Sequence, residues 1–343
     1  MTGEPTTAVL GAAVIGAGDM GARHARHWRA AGAKVVGVFD PYPGRAEVLA
    51  RGLGAEAYGS LEEMLAVAEL EVVSVCTPTF LHAPQTIQAL EAGKHVLCEK
   101  PAALTLEGAL AMRRAAQLYG RELRIGFMRR FDPADHRLMD FRARIGSPVL
   151  AQATIVAGVR PKLLMHDRLA NGGPIIDMCC HIFNLWGRMF GCEPDSVSAQ
   201  GYTFSDNKPE LAQVEHKALD SAQVILEYPG GSVGSIQVSW GLPSGVKPFE
   251  RHTYIGPDGV ISLRWPDEIA LRDAEGTTRW GSAGYDPWKA EIGHFYKELS
   301  QGAPVRLATI DEGIAALKTS LAVLESVAAH RPVRLAEPVA GSC

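Results

Sequence analysis

The stretch Val14-Ile15-Gly16-Ala17-Gly18-Asp19-Met20-Gly21 decides the fold. Ala12, Ala13, Val14 and Ile15 form a short apolar run without helical period, the pattern of a strand buried on both faces. Gly16, Gly18 and Gly21 then match G-x-G-x-x-G. In such a turn the first glycine permits the sharp reversal, the second lets a pyrophosphate approach the backbone, and the third packs helix against strand. The helix opened by Asp19 and Met20 offers free N–H groups and its positive dipole end to phosphates. The chain holds 36 glycines, so the motif needs its context. A second strand, Lys34–Phe39, supplies it by ending in Asp40, nineteen residues after Gly21. An acid there hydrogen-bonds an adenosine ribose and repels a 2′-phosphate, which favours NAD over NADP. Arg45, close behind, keeps NADP open as the second choice.

Strand and helix keep alternating through the first third. Helices are predicted over Ala22–Ala31, Pro43–Arg51 and Leu61–Ala68, the last with Ser60 and Glu63 in capping-box spacing. Glu71–Cys76 reads as a strand, His82–Ala92 as a helix, His95–Cys98 as a strand. Thr105 caps a helix over Leu106–Leu118, and Leu123–Phe127 is the next strand. Such alternation implies a parallel sheet with helices on both faces, and ligands bind at the carboxyl ends of its strands. Those ends are Gly16–Gly21, Asp40, Thr77-Pro78, Glu99-Lys100-Pro101 and Met128–Phe131. The expected cofactor contacts are therefore Gly16, Gly18, Asp19, Met20, Gly21, Asp40, Thr77, Pro78, His82, Glu99 and Lys100. His82 either caps its helix or touches the ligand.

After Gly126 the texture changes. Pro133–Ile145 and Pro174–Phe190 look helical, whereas Val149–Val159, Ser196–Phe204, Ala222–Tyr228, Val233–Trp240, His252–Ile255 and Val260–Leu263 look like strands. Pro229-Gly230-Gly231 and Pro257-Asp258-Gly259 read as turns between strands. Asp286–Ser300 and Ile310–His330 are closing helices. The fold class is thus α/β: residues 1–126 form an N-terminal dinucleotide-binding domain with a parallel sheet. Residues 127–343 form a C-terminal α+β domain with a large open-faced, mostly antiparallel sheet. A broad uncovered sheet face needs a partner, which points to a homodimer or homotetramer through it.

Two domains also suit a length of 343 residues. A hydrophobic share of 47% and a charged share of 21% are those of a soluble globular protein. A net charge of −4 without a basic run argues against a nucleic-acid partner. No apolar stretch reaches spanning length, and the start of the chain lacks the basic n-region of a signal peptide. The expected location is cytoplasmic, without membrane attachment. Cys76, Cys98, Cys179, Cys180, Cys192 and Cys343 have no CxxC spacing and read as reduced thiols. The adjacent pair Cys179-Cys180 points in different directions on a helix, which disfavours a metal or redox role. The tail 336–343 is expected to fray.

Three further stretches carry chemistry. Lys100, at a strand's cofactor end, is placed to hold a substrate hydroxyl, although lysines there are also ordinary surface residues. In the apolar helix 174–190, Asp177, His181, Asn184 and Arg188 fall on one stripe at i, i+4, i+7 and i+11. A buried polar stripe is costly without partners, so it either faces a wet cavity or holds a structural Asp–His pair. A metal reading would need His166 or Asp167 as third ligand and is not adopted. Arg129 and Arg130 either bind substrate or pair with carboxylates at the domain joint.

Together these features resemble the Gfo/Idh/MocA family, relatives of glucose–fructose oxidoreductase and inositol dehydrogenases. The matching stretches are VIGAGDMGARHARHW, VCTPTFLHAPQTIQALEAGKHVLCEKPAALT, GFMRRFDPA and NGGPIIDMCCHIFNLWG, with SVGSIQVSW and YIGPDGVISL later. GFMRRFDPA is most like inositol dehydrogenases. The resemblance implies hydride transfer between NAD(P) and a secondary alcohol or ketone of a cyclitol or sugar. It maps the catalytic lysine to Lys100 and the acid–histidine pair to Asp177 and His181. Arg129, Arg130 and His166 are expected as further substrate contacts. It also implies a cis bond at Lys100-Pro101. Where the family often has an acid three residues after the histidine, this chain has Asn184. Rival readings are a sugar reductase, a dehydrogenase of a nucleotide-linked or glycosidic sugar, or a non-catalytic NAD-binding regulator.

Overall fold

The computed structural model describes residues 9–281 and 284–335. The expected fraying tail, Cys343 and most of the N-terminal segment lie outside them. In chain order the first elements are β1 (Gly11–Ile15), α1 (Asp19–Ala31), β2 (Lys34–Phe39), α2 (Arg45–Leu53), β3 (Glu56–Tyr58), α3 (Leu61–Leu65), β4 (Leu70–Val75), α4 (His82–Glu91), β5 (His95–Glu99), α5 (Leu106–Tyr119) and β6 (Leu123–Gly126). There follow α6 (Pro133–Arg142), β7 (Leu150–Gly158), α7 (Gly173–Asp177), α8 (Cys179–Phe190), β8 (Ser196–Tyr202), β9 (Ser221–Glu227), β10 (Val233–Leu242) and β11 (Phe249–Gly256). The last are β12 (Gly259–Arg264), β13 (Glu268–Asp273), β14 (Gly276–Gly281), α9 (Pro287–Gln301), β15 (Ala308–Thr309), α10 (Ile310–Ala329) and β16 (Val333–Arg334).

By contacts the chain divides into two units. One comprises residues up to Phe131 with Asp286–Gly313, the other Asp132–Tyr285 with residues from Ile314 on. The first unit holds a seven-stranded sheet in the order β15-β6-β5-β4-β1-β2-β3. Its strands are parallel except β15, which runs antiparallel to β6. β1 has all five residues buried, as its unbroken apolar run demands. Helix starts follow side-chain chemistry: Ser60 Oγ accepts from Glu63 N at 3.2 Å, and Thr105 Oγ1 from Gly108 N at 3.1 Å. α9 seals this unit by laying Ile292 and Phe295 against Trp28, Val72 and Leu97.

The second unit holds a nine-stranded sheet in the order β14-β13-β12-β11-β7-β10-β9-β8-β16, antiparallel except for the β7–β10 pair. β13 and β14 were not legible as strands, because Arg272, Asp273, Glu275 and Gly276 break the apolar pattern. The helix expected over 174–190 is two helices. Met178, at φ −102° and ψ −46°, separates α7 from α8, so Asp177 and His181 do not ride one continuous helix.

Candidate functional site

At the carboxyl edge of the first sheet the strand order places five loops in a row. From β6 to β2 they bring Arg129 and Arg130, Glu99 and Lys100, Thr77, the glycine turn, and Asp40. β1 and β4 are neighbours whose connections leave in opposite directions, the switch point where an open α/β sheet binds its ligand.

The glycine turn has the shape the sequence asks for. Gly16 has φ +98°, and a Cβ there would lie 2.9 Å from the Cys76 carbonyl. A Cβ on Gly21 would lie 1.8 Å from Gly16 O, so only glycine lets α1 start this close to β1. Gly18 instead faces open space, with nothing within 4 Å of its would-be Cβ. It is also the residue before α1, and no side chain caps that helix start. An open approach to an uncapped helix N-terminus fits a pyrophosphate. Asp40 Oδ2 accepts from Ala17 N at 2.7 Å and Oδ1 from Tyr42 N at 2.9 Å. Arg45 lies over the Tyr42 ring at 4.4 Å. Beside them a cavity of about 280 Å³ is lined by Ala17, Ala22, Arg26, Arg45, Val48, Leu49, Gly52 and Leu53.

Two neighbouring loops are tied together by His82. Its Nε2 lies 2.9 Å from Thr77 O and its Nδ1 2.8 Å from Pro101 O; the neutral ring donates to one of these carbonyls, and only the charged ring donates to both. It makes no cap bond to α4. Burial holds its pKa below the ordinary imidazole value against the pull of those carbonyls. The Lys100-Pro101 bond is cis. Behind it Glu99 is buried, with Oε1 2.9 Å from His24 Nε2 and Oε2 accepting from Lys100 N at 3.2 Å. Burial alone would raise the Glu99 pKa. The hydrogen bond from His24, aided by the Lys100 charge, overcomes it and holds the carboxylate below its usual range. Arg130 pairs with Glu312 and donates to Arg306 O at 3.2 Å.

In the second unit Asp177 ends α7 and His181 lies in the first turn of α8, both buried. Further along α8, Asn184 is buried, and Arg188 makes a two-pronged bond to Asp135 at 2.8 and 3.2 Å. That end of the stripe is an anchor to α6. His166 is buried, and its Nε2 accepts from Arg160 N at 2.8 Å, which puts the ring proton on Nδ1. Among the described residues Nδ1 finds no acceptor. The His166 ring meets Trp240 edge-on at 6.3 Å, and burial depresses its pKa. Cys179 and Cys180 are buried and form no disulfide. Among the described residues no three His, Cys, Asp or Glu side chains are grouped as a metal site.

Sequence reading missed His24, Glu291 and Glu312. The signal was present for the first two: each is a polar residue on the apolar face of its helix, His24 with Ala25 and Trp28, Glu291 with Ile292 and Phe295.

A parallel sheet with this turn, acid and strand-end lysine, followed by a mostly antiparallel unit, defines a two-domain nicotinamide-dependent oxidoreductase. Residues 10–127 match the model of the oxidoreductase family with an NAD-binding Rossmann fold, and residues 141–261 match the GFO/IDH/MocA C-terminal domain. The chain belongs to the GFO/IDH/MocA family. It is 31% identical to scyllo-inositol 2-dehydrogenase (NAD(+)) of Bacillus subtilis over 94% of this chain and 95% of that one. It is 30% identical to an inositol 2-dehydrogenase of Rhizobium meliloti over 94% and 98%. Among solved structures, UDP-N-acetylglucosamine 3-dehydrogenase of Acidithiobacillus ferrooxidans superposes with a TM-score of 0.79 at 29% identity, covering 94% and 98% of the two chains.

Proposed function

We propose that this oxidoreductase acts on a secondary hydroxyl of a cyclitol, or on the corresponding ketone, with NAD bound along the carboxyl edge of the first sheet. The observation that carries this reading is the row of strand ends that sets Lys100 on the same edge as the glycine turn and Asp40. Its support on the substrate side is the full-length likeness to the two inositol dehydrogenases. When bound, NAD supplies the hydride acceptor. The chain's own residues manage the oxygen and its proton. Lys100 hydrogen-bonds the reacting oxygen and stabilises negative charge on it. His181 takes the hydroxyl proton in oxidation and returns it in reduction, since imidazole titrates nearest working pH. Asp177 orients that imidazole or holds a neighbouring hydroxyl. Arg129 and His166 contact the substrate's other hydroxyls, the latter through its Nδ1–H. His82 supports the cofactor edge from between the Thr77 and Pro101 carbonyls. The homo-oligomer and a cytoplasmic location belong to the same reading.

The likeness to UDP-N-acetylglucosamine 3-dehydrogenase favours a second reading, oxidation of a nucleotide-linked sugar. A panel of inositols, free sugars and nucleotide sugars, followed at the NADH absorbance, separates the two. Turnover is expected first with an inositol. His181→Ala should lower kcat by about 10²–10⁴ while NAD affinity stays near wild type. Near wild-type kcat in a folded His181→Ala would remove His181 from the proton's path, and NAD binding without turnover of any polyol or sugar would favour the regulator.

A further inference from the structure

Behind the Lys100 turn lies a buried chain of polar groups that the proposed chemistry does not use. Glu291, on α9, is fully buried, and neither carboxyl oxygen finds a hydrogen-bond partner among the described residues. His24, on α1, is equally buried, and its Nδ1 has no partner either. The two helices pack side by side. Arg23 lies over the Trp288 ring at 4.2 Å, and Trp28 meets Phe295 at 6.1 Å. These contacts bracket His24 and Glu291 on the same stretch of the seam. Two unpartnered buried polar groups on one seam are costly, and natural interiors rarely keep them without water or a mutual bond.

The direction of the hydrogen bonds is fixed by chemistry. Glu99, as a carboxylate, only accepts, so His24 Nε2–H donates to it, as does Lys100 N–H. The other His24 nitrogen, Nδ1, is then a bare acceptor in the neutral ring. A protonated Glu291 carries an O–H that fits it. We propose that Glu291 is a positioning residue for the Lys100 turn. In this assignment its acid proton donates through one ordered water to His24 Nδ1, and so holds His24 on Glu99 and Glu99 on the Lys100 backbone. The inference rests on Lys100 being catalytic.

The electrostatics agree. Burial, then the charge of Glu99, pushes the Glu291 pKa well above the usual carboxyl range, and Arg130 only partly opposes this. The titratable groups coupled to it are Glu99 after β5, Arg130 and Cys76 after β4, with His24 facing it on the α1 side of the seam. Burial raises the Cys76 thiol as well, and the charges of Glu99 and Glu291 add to that. A folded-state pKa raised above the unfolded one gives stability that is complete at acid pH and is lost as pH climbs through the folded value.

The test compares wild type, Glu291→Gln and Glu291→Leu as full-length proteins. Gln keeps a donor and cannot ionise. Leu removes the donor. Glu291→Gln should keep kcat within about twofold at pH 7 and lack the part of the alkaline decline seen in wild type. Its thermal midpoint should gain on wild type as pH rises from 6 to 9. Glu291→Leu should lose about tenfold in kcat with NAD affinity within about twofold. A crystal structure of wild type should show one water within about 3.2 Å of both the Glu291 carboxyl and His24 Nδ1. If Leu fails to fold, the Gln pH profile decides. Identical pH profiles in wild type and Gln overturn the proposal, as does a folded Leu variant with wild-type kcat. Should Lys100→Ala prove fully active, the catalytic reading fails, while the crystal contact and the stability gap still decide the Glu291–His24 link.

Discussion

Asp40 is held by the protein itself, through Ala17 N and Tyr42 N. These bonds fix the carboxylate at the end of β2, the position from which the proposed function has it accept ribose hydroxyls and oppose a 2′-phosphate. Arg26 and Arg45 line the adjoining cavity, so the opposing charge is not isolated from cations. The balance is set by one side chain, and it should move with it. NAD should bind more tightly than NADP in a side-by-side titration. Asp40→Ser should narrow the gap by weakening NAD and strengthening NADP, with Arg45 then free to face the phosphate. A wild type that prefers NADP would reverse the assignment. Asp40 was legible in the sequence because a strand end plus an acid at that spacing has one common use. The role of Arg130 was not, because Glu312 is 182 residues away and no local pattern announces the pair.

At the scale of elements, what the sequence left open was what joins the loops. Hydrophobic period and turn residues located nearly every strand and helix of the first unit, since each is a local property. They did not reveal that α9 returns to cover β1 and β4 through Trp28 and Phe295, because that is a matter of packing. Nor did they reveal the break at Met178, where an unbroken apolar pattern runs across two short helices. His82 is the clearest case. It sits between the loop after β4 and the loop after β5, and truncating it takes the ring donor from one of the Thr77 and Pro101 carbonyls. His82→Ala should therefore destabilise the fold by about 1–3 kcal/mol. This link is also acid-sensitive. Its folded pKa is depressed by burial, so the unfolded chain binds the proton more readily and stability falls as pH drops through about 6.5. His27, His95 and His166 are depressed in the same direction and add to the slope. Thermal midpoints from pH 7.5 to 5 should fall for wild type and fall less steeply for His82→Gln. Equal slopes would show that the other histidines carry the effect.

At the scale of the whole molecule, the sequence located an open sheet face but not what covers it. Alternation along β7 buries Ala151, Ala153 and Ile155 and leaves Leu150 58% exposed. Ile255 pairs with Leu150 across β11 and is 46% exposed, and Phe249, on the same face, is also 46% exposed. Ile225 on β9 shares that face through its pairing with Ser235 and, beyond it, Gln152. Between these apolar residues stand Ser235, Gln152 and Thr253, with Arg251 and Glu227 as charges on the same face. Exposed apolar side chains on β9, β7 and β11 of one face are the kind of surface that marks an interaction site. A second copy of the same face would bury it with a self-complementary surface, and a standard interface needs about 800 Å² from each partner. The 36.8 kDa chain should therefore elute with the mass of two or four copies in size exclusion with light scattering. Placing a charge at the centre, as in Ile255→Asp or Leu150→Asp, should shift that mass toward one copy while circular dichroism stays that of the folded protein. A wild-type monomer at micromolar concentration would leave the face uncovered and end this part of the proposal.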